Sequence, residues 1–377
     1  MTELTTSPEH PVAGTGERPP ALVVSELTIG IRRGRRTTAL VHGVDLVVGA
    51  GERLGIVGES GSGKSLTMLA VMGLLAPPLE ILSGSIRLGG EEIVGAGEER
   101  MRRLRGSDVA MIYQDPMTSL DPMLRVGHQI AEGPLAHGQE RGEVRRRVLD
   151  GLREVGFADP ERVARQYPHQ LSGGMRQRVM IASALVGSPR LLIADEPTTA
   201  LDVTIQRQIL RLVARLQREH DMAVAWITHD LGVVAQFAER VAVMYAGRIV
   251  ETAATRALFR GPQHPYTAGL LRSLPSIAWA EGAEPRLDEE SPRAEGGSPR
   301  VGRGSPGPRH VAAAGRRLPQ IGGTPPDAAA PPPGCAFHPR CPEAVDRCRS
   351  EVPPLIARAG SSVAACWVPP EDWDERP

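Results

Sequence analysis

The chain has 377 residues, of which 41% are hydrophobic, and its 44 basic side chains balance 44 acidic ones. This length suffices for one large domain or two, and the balanced charge gives no reason to expect nucleic acid or membrane lipid as a partner. No run of about 18 apolar residues is present that could span a bilayer, and residues 1–6 lack the basic and apolar regions of a secretory signal. We therefore expect a cytosolic protein.

The first part of the chain predicts a small antiparallel sheet. Residues 1–20 are polar and rich in proline and glycine, which indicates a disordered start. Residues 22–31 and 44–48 have the aliphatic composition of strands, and the turn-like segment 32–36 follows the first of them. These strands precede the segment that carries the clearest chemical signal.

That segment is a phosphate-binding loop. Residues 53–57 predict a buried strand and residues 66–72 predict a helix. The loop between them reads Gly58-Glu59-Ser60-Gly61-Ser62-Gly63-Lys64-Ser65, which fits the pattern G-x-x-x-x-G-K-[ST] at every fixed position. Backbone N–H groups of such a loop, together with the helix N-terminus at Leu66, attract phosphate oxygens. We expect Lys64 to contact the β- and γ-phosphates and the Ser65 hydroxyl to bind Mg²⁺.

The rest of the core alternates between strand and helix patterns. The predicted strands are 84–88, 109–113, 191–194 and 224–227, and the predicted helices are 143–155, 173–185 and 205–216. Residues 115–170 predict a helical insertion. This alternation favours a mostly parallel sheet that is covered on both faces.

Two carboxylates follow the aliphatic strand 191–194. Asp195 could hold Mg²⁺ through water beside the phosphate loop, and Glu196 could polarise an attacking water. An acidic pair at a solvated strand end is the alternative, but the phosphate loop in the same chain favours the functional interpretation.

Ser172, Gly173 and Gly174 come directly before a predicted helix and form a second candidate anion site. A second such site suggests that a γ-phosphate is bound from a partner subunit, although a simple N-cap would give the same pattern. His229 follows a strand and could contact a γ-phosphate; a structural histidine is the alternative.

Together these motifs resemble the ATP-binding subunits of ABC transporters. The resemblance rests on the loop 58–65, Gln114, the segment 171–178, residues 191–196, the segment 198–202 and His229, in that order, and it covers about residues 22–260. It implies an α/β fold with a P-loop NTPase (ABC ATPase) core, an antiparallel β subdomain and a helical subdomain at about 115–185. By the same resemblance, two such subunits are expected to close head to tail on two ATP molecules.

The resemblance also implies a role for each matched residue. Gln114 would touch Mg²⁺ and water, Asp195 would belong to the Walker B motif, and Glu196 would be the catalytic base. His229 would be the switch histidine and Asp202 the acid of the D-loop. Ser172 and Gly174 would complete the nucleotide site of the partner.

Two further segments are similar to the di- and oligopeptide importers, including their nickel-carrying relatives. These are Met175-Arg176-Gln177-Arg178 and Gln263-His264-Pro265-Tyr266-Thr267. Membership of that group implies a related ATPase as second subunit, two integral membrane permeases, an extracytoplasmic solute-binding protein and a peripheral location at the cytoplasmic face of the membrane. Nickel or another small solute stays open as the cargo.

One position departs from the family pattern. The family usually has an aromatic side chain near the end of the first strand, where it stacks on adenine, and this sequence has Ile31. A stacking contribution of about 1 kcal/mol could be missing.

The C-terminal part divides into three predicted segments. Residues 261–280 extend the ATPase domain (21–260), residues 281–333 have the composition of a disordered linker, and residues 334–377 hold all four cysteines, Cys335, Cys341, Cys348 and Cys366. A reducing cytosol disfavours disulfides, and the C-x₂₋₄-C pairs typical of zinc are missing. Residues 334–342 resemble the C-terminal tails of the same importers, some of which hold a [4Fe–4S] cluster. This resemblance favours such a cluster here; zinc or free thiols remain alternatives.

The sequence therefore predicts an ATPase subunit that powers solute import, with ATP and Mg²⁺ at its site. A soluble ABC-type ATPase of translation or DNA repair is the alternative of a different class. It is disfavoured because such proteins typically carry two cores or a long coiled coil, and neither is present here. An exporter is disfavoured by the importer-like tail.

Overall fold

The computed structural model describes residues 18–34, 36–114, 119–199, 201–274 and 321–373. The strands are β1 (Leu22–Arg33), β2 (Arg36–Val48), β3 (Arg53–Val57), β4 (Leu79–Leu88), β5 (Glu91–Glu92), β6 (Val109–Ile112), β7 (Leu191–Asp195), β8 (Ala223–Thr228), β9 (Arg240–Tyr245), β10 (Arg248–Ala254), β11 (Ile356–Ala357) and β12 (Val363–Ala364). The α-helices are α1 (Lys64–Val71), α2 (Glu98–Leu104), α3 (Val126–Ala136), α4 (Arg141–Glu154), α5 (Pro160–Arg165), α6 (Gly173–Leu185), α7 (Val203–His220), α8 (Leu231–Phe237), α9 (Thr255–Arg260) and α10 (Pro265–Arg272).

A four-stranded antiparallel sheet opens the fold, in the order β2-β1-β4-β5. Its inner face is aliphatic, because Leu22, Val24, Leu27 and Ile29 of β1 are buried. This sheet confirms the predicted antiparallel part. The predicted strand 84–88 is the second half of β4, which pairs along most of β1.

The central sheet has eight strands in the order β11-β12-β10-β9-β3-β8-β7-β6. The strands from β9 to β6 run parallel, and β10 to β12 add an antiparallel edge. Strands β7 and β8 are buried along their whole length, as expected for aliphatic strands covered on both faces. The carboxyl ends of β3, β7 and β8 therefore meet at one edge, where ligands bind in such sheets.

Helices α3 to α6 pack on one another, and α6 also contacts β6. The amphipathic helix α4 buries Val144, Val148 and Leu152, which lie within the predicted helix 143–155. Helix α6 begins at its N-cap Ser172, whose Oγ accepts a hydrogen bond from Met175 N at 3.4 Å. Within the predicted helical subdomain, residues 115–118 lie outside the described residues.

The C-terminal part of the chain packs on the edge of the central sheet. Strand β12 pairs with β10, and Ala365 N donates to Val250 O at 2.8 Å. The rings of Tyr245, Tyr266 and Phe337 pack together with centroids 4.6–5.4 Å apart. Segments that are far apart in sequence thus share one small apolar core.

The prediction of a disordered linker over residues 281–333 is wrong for the last part of that segment. Residues 281–320 lie outside the described residues, as do residues 1–17 of the predicted disordered start. Residues 321–333 have a defined path instead: Ile321 packs against helix α10, and Ala328 O lies 3.0 Å from His42 Nε2. Residues 321–333 are therefore attached to the fold through Ile321 and backbone contacts, although their composition predicts disorder.

Candidate nucleotide site

The phosphate loop connects the end of β3 to the start of α1, as the sequence predicts. Gly63 is the N-cap of α1 and has φ +99°, a left-handed conformation that favours glycine. A Cβ at Gly58 would lie 2.1 Å from Met244 O, so only glycine lets the loop approach β9. No side chain of the described residues caps α1, which keeps its N-terminal dipole available to an anion.

Lys64 lies in the hollow of this loop and is only 5% exposed. Its Nζ donates to Gly58 O at 2.8 Å and Glu59 O at 2.9 Å, with Ser62 Oγ at 3.3 Å. Burial lowers the pKa of Lys64, while the charges of Glu196, Asp195 and Glu59 act in the opposite direction. The ammonium group is therefore held by oxygens that a phosphate could replace.

Ser65 and Asp195 form the expected pair for Mg²⁺. Ser65 Oγ donates to Asp195 Oδ1 at 2.9 Å, across 130 residues of sequence. Burial, assisted by the charge of Glu196, raises the pKa of Asp195 above its usual range, although the Ser65 hydrogen bond acts against this. A hydroxyl and a desolvated carboxylate are the oxygen ligands that Mg²⁺ accepts, so the residues present fit this ion.

Glu196 is the centre of a hydrogen-bond network. Its Oε2 accepts from Gln114 Nε2 at 3.1 Å and from Thr199 Oγ1 at 2.9 Å, and its Oε1 lies 3.2 Å from His229 Nδ1. Burial acts to raise the pKa of Glu196, but hydrogen bonds from His229 and Thr199 and the charge of Lys64 leave it below its ordinary value. The structure thus brings together three of the predicted residues, Glu196, Gln114 and His229.

Thr199 was missed by the sequence analysis as a functional residue. It belongs to the matched segment 198–202, and a hydroxyl three residues after the carboxylate was the available signal. The contact helps to fix the Glu196 carboxylate, whose residue has φ +44°.

The remaining predicted residues lie apart from this network. Ser172 and Gly173 are exposed at the start of α6, and a Cβ at Gly174 would lie 3.0 Å from Ile205 of α7. Asp202 is the N-cap of α7, and its Oδ1 accepts from Ile205 N at 2.9 Å. No hydrogen bond among the described residues joins Ser172 or Asp202 to Lys64 or Glu196.

Glu59 has contacts that the sequence analysis did not foresee. Its carboxylate forms two hydrogen bonds with Arg340, Nη1–Oε2 at 2.7 Å and Nη2–Oε1 at 3.0 Å. Its backbone N–H donates to Tyr266 Oη at 2.9 Å. Both partners lie in segments that the sequence analysis connects with importer tails, but nothing in a local pattern predicts contacts across 281 and 207 residues.

The four cysteines converge in the C-terminal part. Cys335 N donates a hydrogen bond to Cys348 O at 2.8 Å. Cys335, Cys341 and Cys366 each interact electrostatically with at least one other cysteine of the set. Burial raises the pKa of Cys335, of Cys341 to about 12 and of Cys366 to about 11. Among the described residues, no three His, Cys, Asp or Glu side chains are arranged to share one metal ion. The thiols are free, not disulfide-bonded.

None of the described helices is both long and apolar enough to cross a membrane.

The chain matches two protein families: residues 41–199 match "ABC transporter", and residues 250–299 and 307–348 match "Oligopeptide/dipeptide transporter, C-terminal region".

Named relatives agree with these families. The chain is 44% identical over 333 residues to the dipeptide transport ATP-binding protein DppD of Escherichia coli, covering 88% of this chain and 91% of that protein. It is 49% identical over 256 residues to the oligopeptide transport ATP-binding protein OppD of Lactococcus lactis, covering 68% and 76%.

A solved structure shares the fold. The ATP-binding cassette MJ0796, a dimer in a post-hydrolysis state bound to ADP and Pi, superposes with a TM-score of 0.55 at 27% identity. The match covers 62% of this chain and 99% of that one. The ABC ATPase fold predicted from the sequence is thereby confirmed.

Proposed function

Because the chain belongs to the ABC transporter ATPase family and carries the C-terminal region of the oligopeptide and dipeptide transporters, we propose that it hydrolyses ATP to power the import of di- or oligopeptides. The observation that carries this proposal is the convergence of Lys64, Ser65, Asp195 and Glu196 at the carboxyl edge of the central sheet. This edge is where parallel α/β sheets bind their ligands.

Each residue of the site has a distinct task in ATP binding. The loop 58–65 binds the phosphates through backbone N–H groups, and Lys64 exchanges its contacts with Gly58 O and Glu59 O for phosphate oxygens. Ser65 and Asp195 would hold Mg²⁺, which would offset the negative charge of the triphosphate. Gln114 extends from the end of β6 towards the same space.

Glu196 prepares the attacking water. A carboxylate with a lowered pKa is ionised at neutral pH and can accept a hydrogen bond from water. Gln114 and Thr199 fix one carboxylate oxygen, and His229 lies beside the other. His229 is more than half exposed, so its ring is accessible to a γ-phosphate from outside the network.

The hydrolysing unit contains two ATPase subunits. Ser172 and Gly173 are exposed at a helix N-terminus and make no hydrogen bond to this chain's own phosphate loop among the described residues. We infer that this helix N-terminus, through Ser172 and Gly174, binds the γ-phosphate held by a related second ATPase, with Asp202 at the same interface. Two integral permeases and a solute-binding protein complete the complex, which places the chain at the cytoplasmic face of the membrane.

The four cysteines are proposed to hold a [4Fe–4S] cluster. The support is their convergence and their chemistry, since such a cluster takes four thiolates. Zinc is disfavoured because the C-x₂₋₄-C pairs typical of its sites are missing from the sequence. The bound group would keep the thiolates of Cys335, Cys341 and Cys366 ionised despite their raised pKa values. It would tie these three cysteines and Cys348 together.

Peptide uptake tests the proposed function. The chain is co-expressed with its neighbouring permeases, reconstituted in liposomes and supplied with ATP, solute-binding protein and a labelled dipeptide or oligopeptide. We expect ATP-dependent uptake that Lys64→Ala abolishes and that Arg215→Ala, which removes an ion pair with Glu219 on α7, leaves intact. Absence of uptake for peptides, or purification of the chain with ribosomes or DNA instead of permeases, would contradict the proposal.

A further inference from the structure

The C-terminal part of the chain reaches the phosphate loop through one buried ion pair. Arg340 is 5% exposed and binds both carboxylate oxygens of Glu59, the second residue of the loop. Its Nε donates to Gly322 O at 2.8 Å, and its Nη1 lies 3.2 Å from Tyr245 Oη. Every nitrogen of the guanidinium therefore has a partner, and its orientation is fixed.

The ion pair between Arg340 and Glu59 has the geometry of a strong ion pair. Two parallel N–H···O bonds between a guanidinium and a carboxylate combine charge and fixed geometry. The pair is also largely removed from water, with Glu59 25% exposed. Removing one member of such a pair leaves the other charge without compensation, which costs far more than the loss of a surface ion pair.

Glu59 connects the pair to nucleotide binding. Its backbone oxygen accepts a hydrogen bond from Lys64 Nζ at 2.9 Å, and its backbone N–H is held by Tyr266 Oη. Its carboxylate is close enough for its charge to act on Lys64. Without Arg340, that negative charge would oppose a triphosphate and compete for the Lys64 ammonium.

We propose that Arg340 is a positioning residue for ATP: it fixes and neutralises Glu59, so that the phosphate loop is free to accept a triphosphate. Arg340 makes no contact with the phosphates itself; it acts from the C-terminal region, one residue before Cys341. The inference rests on the proposed ATP-binding function and adds a residue from outside the ATPase core to that site.

The test measures the affinity of the full-length chain for AMP-PNP with Mg²⁺ by calorimetry, at a temperature well below the melting point of each variant. We expect Arg340→Gln to raise the Kd about tenfold or more, and the double variant Arg340→Gln with Glu59→Gln to recover most of that loss. Arg240→Gln is the matched control, since Arg240 pairs with Glu52 at the other end of β3, with Nη1–Oε1 at 2.7 Å. It should lower the melting temperature without raising the Kd.

The outcomes of this test distinguish failure of the proposed function from failure of the proposed role of Arg340. If the wild-type chain does not bind AMP-PNP, the proposed function fails; if it binds and Arg340→Gln binds equally well, only the role of Arg340 fails. A double variant that binds AMP-PNP as weakly as Arg340→Gln alone would also overturn the inference. The effect of Arg340 on nucleotide binding would then not depend on Glu59. Should Arg340→Gln not fold, Arg340→Met takes its place: it also removes the positive charge, and a folded Arg340→Met with an unchanged Kd overturns the proposal.

Discussion

The hydroxyl of Ser65 donates a hydrogen bond to the carboxylate of Asp195 at 2.9 Å, joining the first turn of α1 to the end of β7. The two groups assigned to Mg²⁺ are thus already in contact within the fold. An assembled ligand pair of this kind needs little rearrangement to receive an ion, which favours tight binding. The same pair keeps the Asp195 carboxylate buried. Burying an ionised carboxylate lowers the stability of the fold, and this loss can be measured.

Asp195→Asn should stabilise the chain in the absence of Mg²⁺ and weaken its binding of Mg²⁺–ATP. The pKa of Asp195 is raised in the fold, so its contribution to stability is present at low pH and is lost as the pH rises through the folded pKa. We therefore expect a higher melting temperature for Asp195→Asn than for wild type at pH 7 and a smaller difference near pH 4.

Asp150→Asn is the control for this prediction, because Asp150 lies on α4 with an exposed side chain beside Arg153. A melting difference of Asp195→Asn that is the same at both pH values would contradict the assignment of the buried charge.

Glu196→Gln should bind Mg²⁺–ATP but lose about a hundredfold or more of its hydrolysis rate, since the amide cannot accept a proton from water. The nucleotide-bound variant should accumulate as a closed dimer, seen by size-exclusion chromatography with light scattering. Glu219→Gln on the exposed face of α7, where Glu219 pairs with Arg215, should keep the wild-type rate. Normal turnover of Glu196→Gln would remove Glu196 from its role.

Lys64 offers a direct probe of site occupancy because it is the only lysine in the sequence. An amine-directed acylating reagent can therefore modify only Lys64 and the N-terminal amine. Since burial lowers the pKa of Lys64, its acylation should proceed at a lower pH than that of an exposed lysine. We expect Mg²⁺–ATP to protect Lys64 and leave the N-terminus reactive, as measured by peptide mass spectrometry. Equal labelling with and without ATP would contradict the placement of Lys64 on the phosphates.

Cys341→Ser should abolish a brown chromophore that absorbs at about 400 nm in protein purified without oxygen. The reason is that one of four thiolates is lost, and iron analysis gives the independent measure. The control is Ser350→Ala, near Cys348, which alters a hydroxyl without removing a thiol. A wild-type protein that is colourless and free of iron under these conditions would end the cluster proposal.

The sequence predicts the phosphate loop well because its chemistry is local. Residues 58–65 need a strand, glycines and a helix in immediate succession, and the structure confirms that order. Asp195 and Glu196 could be placed near the loop because parallel strands bring their carboxyl ends to one edge. The hydrogen bonds from Gln114 and His229 to Glu196 follow from the same rule.

The contacts of the C-terminal part could not be predicted in this way. Arg340 and Tyr266 meet Glu59 because the chain returns to the sheet through β12 and the aromatic cluster at Tyr245. Composition indicates disorder up to residue 333, yet Ile321 packs against α10. Long-range packing, not local propensity, decides the position of such segments.

The measurement that tests the central claim most directly is the rate of Mg²⁺–ATP hydrolysis per ATPase subunit at decreasing concentration, with the molecular mass recorded in parallel. The claim is that each triphosphate lies between the phosphate loop of one subunit and Ser172 and Gly174 of another. We expect the rate per subunit to fall as the pair dissociates. Full-rate hydrolysis where only single ATPase subunits are present would contradict the claim.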